Sequence, residues 1–372
     1  MKVLFISPKD PDEEEITNLK FLVGGENTYT CQLLKNPPPG VEYVQHAQAL
    51  KEGKITYTNF QTPLSSLIEL RILPPDAGIQ SFEVRERFDL IHCHAYCLHL
   101  KNYSGPVILS DSSSNILFLK DYLGWGGNRI DVNYKLRGLI SRKFNIYDPN
   151  LNLSRAKKLI VWSKFAKNIH EKLGCNPKKI VVIPPGIERL PAKKIKHKNF
   201  NILFIGIWFE RKGGPLLLEA YRALKNKYPK IRLTLIGQVP KEEKLSRDIY
   251  HRDYLPREKL IREIFPYTDV LVLVPPVAEG YGLVVLEAAS LGIPSIVSSV
   301  CALPEIVENK KTGFIITPGR AEELLKKLKT LIENPIIKER MGKAAQTKFL
   351  RQFWIRETNK KLLRIYQEAT GG

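Results

Sequence analysis

TDVLVLVPPVAEGYGLVVLEAASLGIPSIVSS, residues 268–299, is the stretch that decides the fold. It begins with an apolar run of strand length, Thr268–Pro276, that ends in two prolines. From Leu286 it continues as a short helical pattern closed by Gly292 and Pro294, followed by a second β-branched run. Between these lies EGYGLVVLE, where Glu279 and Glu287 bracket a glycine-flanked turn. The order is strand, loop, helix, strand. The loop puts Glu279 and the backbone N–H groups of Gly280 to Leu283 at the carboxyl end of a strand and the start of a helix. In an open parallel sheet ligands bind at that end, and helix-start amides favour phosphate. Two carboxylates at this spacing also fit an exposed loop acid and a helix-surface acid, so the rest of the chain has to decide.

The same rhythm extends on both sides. In the second half NILFIGIW (201–208) and IRLTLIGQ (231–238) read as strands, while GGPLLLEAYRALKNKYP (213–229) and REKLIREIFPYT (257–268) read as helices. In the first half the strand candidates are KVLFIS (2–7), VEYVQHA (41–47), FDLIHCH (88–94), GPVILSD (105–111), KLIVWS (158–163) and KIVVIPP (179–185). VGGENTY (23–29) opens a helix-like segment that stops at the prolines 37–39. Strands alternating with helices imply parallel sheets joined by right-handed crossovers, an α/β class. The polar, basic stretch 186–199 reads as a linker between two such series. The expected organisation is two facing Rossmann-like domains, residues 1–195 and 196–350. The amphipathic segment 353–369, within a C-terminal tail 351–372, is expected to pack back on the first.

Composition narrows the function. With 43% hydrophobic and 26% charged residues, the 372-residue chain has the make-up of a globular protein. No apolar stretch reaches the roughly 18 residues that span a bilayer, and MKVLFISP reads as a first strand rather than a signal peptide. Five scattered cysteines (31, 93, 97, 175, 301) argue for a reducing compartment, hence a cytoplasmic location. The net charge is +20, and residues 120–195 alone hold roughly 17 Lys and Arg against 5 Asp and Glu. Such an excess attracts nucleic acid, anionic membrane or acidic small molecules. Nucleic acid is not the expected partner, because no recognition motif accompanies the charge.

Seven landmarks fall in one order: VGGEN (23–27), DLIHCH (89–94), VIPPGIE (182–188), FIGIWFERKGG (204–214), LTLIGQ (233–238), EGYGLVVLE (279–287) and LPEIVENKKTGFII (303–316). The series resembles the retaining, nucleotide-sugar-dependent glycosyltransferases of family 4, which have the GT-B fold. The likeness is dense over 200–320 and thinner over 1–199. It implies that Glu287 hydrogen-bonds the ribose hydroxyls of a nucleotide-sugar donor and that Glu279 lies close to the transferred sugar. Gly280 and Tyr281 belong to the same loop, and the amides of Gly282, Leu283 and Val284 would approach the donor phosphates. Lys212 matches a pyrophosphate-binding lysine, and Gly24 and Gly25 match a glycine loop where substrate passes close to backbone.

A nucleoside diphosphate leaves readily only when its developing charge is stabilised in place. The D-x-D triplet Asp10-Pro11-Asp12, in an acidic run ending at Glu15, reads as a solvated loop. Lys212, Arg211 and the helix-start amides would neutralise the phosphates instead. The expectation is therefore chemistry without metal or other cofactor, the sugar nucleotide being substrate. Where the family carries Arg directly after the strand glycine, this chain has Ile207, and Arg211 is the expected substitute. Many relatives have a histidine near ILSDSSSN (108–115) that touches the donor sugar, where this chain offers Ser110, Asp111 and Ser112.

His92, Cys93, His94, Cys97 and His99 form a cluster, but zinc sites pair two such clusters across a loop and no second one follows. Structural or substrate-contacting roles are expected, with His94, at the strand end, as the pocket residue. Glu279, Lys212, His94 and Asp111 are thus the residues expected at the reaction. A degenerate family member that only binds a sugar nucleotide, or another GT-B enzyme such as a sugar-nucleotide epimerase, remains an open alternative.

DVNYKLRGLISRKFNIY (131–147) carries Leu136, Leu139, Ile140 and Phe144 at helical spacing among Lys135, Arg137, Arg142 and Lys143. One reading is a helix with a buried apolar face and a basic outer face. The other is a surface that docks on the inner face of an anionic membrane, with Trp125 as an anchor, to reach a lipid-linked acceptor. On the second reading the protein co-sediments with anionic vesicles in a salt-sensitive manner. Failure to bind them at low salt rules it out.

Overall fold

The computed structural model describes residues 1–8, 25–58, 79–112, 127–149, 152–153 and 155–372. They divide into two units. Tyr29–Pro185, the first strand and Thr358–Gly372 make up one, and Gly186–Glu357 together with the residues up to Thr28 at the start of the first helix make up the other. The division falls at Pro185–Gly186 rather than at 195–196, and 351–357 stay with the second unit. Residues 186–195 are fastened there by backbone: Ile187 N–H donates to Phe353 O (3.1 Å), Ile355 N–H to Ile187 O (3.0 Å) and Ile195 N–H to Pro266 O (2.9 Å).

The first unit contains β1 (Lys2–Ile6), α1 (Gly25–Lys35) from Tyr29 onward, β2 (Glu42–Gln45), α2 (His46–Lys51), β3 (Ile55–Tyr57), β4 (Ile79–Val84), β5 (Leu90–His94), β6 (Cys97–Lys101), β7 (Val107–Asp111), α3 (Gly127–Lys143), β8 (Lys158–Val161), α4 (Lys164–Lys172) and β9 (Ile180–Val182). Its main sheet runs β2-β1-β5-β7-β8-β9, all parallel, beside a small sheet β3-β4-β6. Every residue of β5 and β7 is buried. Both faces of these strands are covered, so their polar residues His92, His94, Ser110 and Asp111 must find partners inside the unit. The expected strand 41–47 stops at Gln45, because HAQALK is made of good helix formers and turns into α2.

The second unit is built from β10 (Phe200–Trp208), α5 (Gly214–Lys225), β11 (Ile231–Gln238), β12 (Ile249–Arg252), β13 (Val270–Leu273), α6 (Leu283–Ser290), β14 (Ser295–Ser298), β15 (Gly313–Ile316), α7 (Ala321–Glu333) and α8 (Pro335–Gln352). Its sheet is also parallel, in the order β12-β11-β10-β13-β14-β15. Leu217, Leu218, Tyr221 and Leu224 of α5 and Leu324, Leu328 and Leu331 of α7 pack on one core with Phe204, Leu235 and Val272. The segment 257–268 is not one helix. It breaks into short turns, Arg257–Lys259, Leu260–Ile264 and Phe265–Tyr267, since Pro266 has no N–H for a helical ladder.

The last helix, α9 (Ile355–Thr370), belongs with the first unit from Thr358 onward. Thr358 Oγ1 donates to Pro184 O (3.1 Å) and Asn359 Nδ2 to Asn36 O (2.6 Å). All five cysteines are free. No helix among the described residues is long and apolar enough to cross a membrane.

α3 corrects the sequence reading of its faces. Arg137, assigned to the basic outer face, is buried with 3% of its side chain exposed, and Asp148, at 1%, lies 3.6 Å from its Nη2. The same nitrogen lies 3.6 Å from Cys97 Sγ. That inward pair turns Leu139 and Val132 outward, to 65% and 67% exposure. Arg137→Met removes a cation from beside the buried Asp148 carboxylate, and unfolding in urea should show a loss of about 3–5 kcal/mol. Lys135→Ala, at an exposed position of the same helix, should stay within about 0.5 kcal/mol; equal midpoints for the two variants would remove the pair from the structural account.

Candidate functional site

The order of the second sheet reverses between β10 and β13: the chain moves from β10 to β11 and β12 on one side, then returns to β13 and continues outward on the other. Ligand crevices form at the carboxyl ends of strands at such a switch point. Two loops meet there, one after each strand.

The loop after β10 is a tight turn. Lys212 N–H donates to Trp208 O (2.9 Å), Gly213 N–H to Glu210 O (3.0 Å) and Gly214 N–H to Phe209 O (2.8 Å). Gly213 has φ 87°, and a Cβ there would stand 2.1 Å from Val274 O. Only glycine permits both the left-handed backbone and that approach. Val274 N–H in turn donates to Lys212 O (3.2 Å), which ties the turn to the end of β13. Gly206 serves the same residue: a Cβ on it would lie 2.7 Å from Lys212 Cγ, so its bare backbone lets the lysine stem lie across β10.

The loop after β13 leads into α6. Ser298 Oγ donates to Pro275 O (2.7 Å), and Glu279 N–H lies 3.5 Å from Cys301 Sγ. Gly282, at φ 85°, is the N-cap of α6. Leu283 and Val284 then open the helix, whose first N–H groups have no partner within it. Gly280 is half-buried, and Tyr281 is buried with its phenol pKa pushed well above the ordinary value by desolvation.

Each acid of the sequence motif is held by a cation. Lys212 Nζ is paired with Glu279 Oε2, and Arg257 Nη1 with Glu287 Oε1. Burial pushes the Lys212 ammonium below its ordinary range; Glu279 opposes that shift and the neighbouring Arg211 charge adds to it. Arg211 carries its guanidinium 5.9 Å from the centre of the exposed Trp208 ring. Ile207, where the family's arginine was expected, is partly exposed. Gly25, the first residue of α1, groups with this unit, and a Cβ there would stand 3.8 Å from Leu283 Cδ1. Gly24, Asp10-Pro11-Asp12, Glu15 and Trp125 lie outside the described residues.

Arg257 is the site residue that sequence reading missed. It stands in the segment after β12, far from Glu287 along the chain, and no local spacing links the two. A basic residue at the start of a loop-to-helix segment at the carboxyl end of the sheet was the only signal.

His94 and Asp111 lie in the first unit, at the ends of β5 and β7. His94 is fully buried, stacked on Trp162 at 5.5 Å and 12°, with Nδ1 2.8 Å from Ser110 Oγ. Ser110 Oγ also meets His92 Nε2 (2.8 Å), whose Nδ1 lies 2.6 Å from Tyr366 Oη on α9. Burial, with the His94 charge adding to it, lowers the His92 pKa to about 3. Asp111 has His170 Nε2 at 3.8 Å. The histidine–cysteine cluster is thus spent on hydrogen bonds and packing. Among the described residues no three His, Cys, Asp or Glu come together as metal ligands.

Sequence comparison matches the chain in two parts. Residues 45–189 match Glycosyltransferase Family 4, and residues 187–348 match Glycosyl transferases group 1. An uncharacterised glycosyltransferase of Haemophilus influenzae is 32% identical over 197 residues, 50% of this chain and 52% of that protein. A D-inositol 3-phosphate glycosyltransferase of Pseudarthrobacter chlorophenolicus is 23% identical over 354 residues, 87% of this chain and 80% of that one. The first three curated relatives are matched over about half of their length or less. Among solved structures, Anabaena HepE in complex with UDP-glucose aligns with a TM-score of 0.63 at 16% identity, over 99% of this chain and 100% of that one. At that identity the likeness speaks for the fold alone. Two parallel Rossmann-like sheets and two adjoining family matches lead to one conclusion: the chain belongs to the family 4 glycosyltransferases of GT-B fold.

Proposed function

We propose that the chain is a retaining glycosyltransferase that moves a sugar from a nucleotide-sugar donor to an acceptor hydroxyl without a metal. The observation that carries this reading is the placement of Lys212–Glu279 and Arg257–Glu287 at the switch point of the second sheet. The UDP-glucose complex of the HepE fold neighbour makes a nucleoside diphosphate sugar the ligand class to test.

Lys212 exchanges Glu279 for the donor pyrophosphate, together with the first amides of α6, so charge gathering on the leaving group meets fixed positive partners. Glu279, released from the lysine, accepts from a hydroxyl of the transferred sugar, and Glu287 accepts from the ribose. Among the described residues no side chain stands out as a nucleophile, which favours front-face transfer. The bond from the anomeric carbon to phosphate oxygen breaks with its electron pair leaving on the diphosphate. The acceptor oxygen bonds to the same face, and its proton passes to the departing phosphate. His94 and Asp111 are assigned to the acceptor side.

An acceptor on a membrane lipid is supported by α3, where exposed Val132 and Leu139 accompany exposed Lys135, Arg142 and Lys143. Against a degenerate, binding-only protein stands the retention of both acids and Lys212; slow release of free sugar from the donor separates the two, because a pure binder releases none.

Lys212→Ala and Glu287→Ala should each lower kcat/KM for the donor by about 100-fold, the scale of losing one charge-stabilising partner. Kinetics like the wild type in both would refute the site. Turnover should be unchanged by EDTA; loss on chelation, restored by a divalent ion, would refute the metal-free mechanism.

A further inference from the structure

Arg257 does more than balance Glu287. Its side chain is only 10% exposed, and its Nη1 holds Glu287 Oε1. Its other two nitrogens, Nε and Nη2, are buried and have no acceptor among the described residues. Those two are not a random pair. The Nε–H and the nearer Nη2–H point along one edge of the planar guanidinium and form the fork that grips two acceptors, or one shared oxygen, side by side. A buried donor without a partner is costly and rare in a folded protein. Here two such donors lie on one edge, next to the carboxylate assigned to the ribose.

We infer that Arg257 is a nucleoside-recognising residue: one nitrogen orients Glu287, and the Nε/Nη2 edge takes an acceptor of the donor's nucleoside. The inference rests on the donor-binding reading of this unit. The edge faces one of two kinds of acceptor, a ribose oxygen or the polar edge of the base. Arginine reads adjacent base acceptors, such as O6 and N7 of guanine, in this side-by-side manner. The position of Arg257 suits the role, since it follows β12 at the carboxyl side of the sheet, while the phosphate-directed Lys212 follows β10. Nucleoside and diphosphate would thus be read by two loops from different strands.

The same geometry distinguishes this role from plain charge pairing. Lysine in place of Arg257 keeps a cation beside Glu287 but has no fork. Methionine removes both. If the arginine serves only to neutralise a buried acid, lysine restores nucleotide affinity; if the fork is used, it does not.

The experiment is calorimetric titration of UDP, GDP, ADP and inorganic pyrophosphate into the wild-type chain, Arg257→Lys and Arg257→Met. The expected result is a loss of tenfold or more in affinity for the preferred nucleotide in both variants, with pyrophosphate affinity kept within twofold. Unequal losses among the three nucleotides place the fork on the base, and equal losses place it on the ribose. With donor turnover as a second readout, KM should rise by a similar factor while kcat at saturation moves less. Arg257→Lys, which retains the ion pair, carries the test if Arg257→Met does not fold. Wild-type affinity in Arg257→Lys overturns the assignment and leaves the donor site standing. A wild-type chain that binds none of the three nucleotides overturns both.

Discussion

The hydrogen bond from Val274 N–H to Lys212 O is the constraint on which the second unit's chemistry depends. It joins the ends of β10 and β13, the two strands between which the sheet changes direction. Gly213 makes it possible, because any Cβ there would collide with the Val274 carbonyl. Once that stitch is made, the lysine after one strand and the acid after the other are brought to ion-pair distance without any long side chain having to search for its partner. The entropy of fixing a lysine and a glutamate is thus borne by backbone that is already ordered, which is how rigid loop ends preorganise a polar site.

Much of this was legible before any coordinates. TDVLVLVPP has the length and apolarity of a strand buried on both faces, and Gly280 and Gly282 flag the turn that follows; the chain folds there as read. The order of motifs from VGGEN to TGFII sufficed for the family, since spacing over such a length seldom coincides. Arg257 escaped because its contact with Glu287 is made by the sheet and not by sequence proximity. Arg137 was misplaced for a different reason: helical periodicity ranks residues by apolarity and has no term for a buried acid across the turn. Asp148 supplies that term. The helix expected over 257–268 fails at Pro266, a local signal outweighed by the apolar spacing around it.

The histidines of the first unit show how a metal-like sequence pattern is resolved by packing. Ser110 stands between His92 and His94, and a hydroxyl has one proton to give. The two imidazole nitrogens that meet it cannot both be satisfied as acceptors, so the tautomers of the two rings are linked. His92 is neutral in its apolar surroundings and passes that link to the phenol of Tyr366, itself within 2.9 Å of Tyr43 Oη.

Tyr366 also gives the first unit an unusual order of assembly. Its sheet is made early in synthesis, but the phenol that satisfies His92 Nδ1 and the side chains that cap Pro184 and Asn36 come from α9, beyond the whole of the second unit's sheet. A ribosome therefore releases a complete second unit before the first has its last buried partner. Until then His92 Nδ1 and the carbonyls of Pro184 and Asn36 lack the partners they have in the finished fold, and the strands beside them are exposed for that interval.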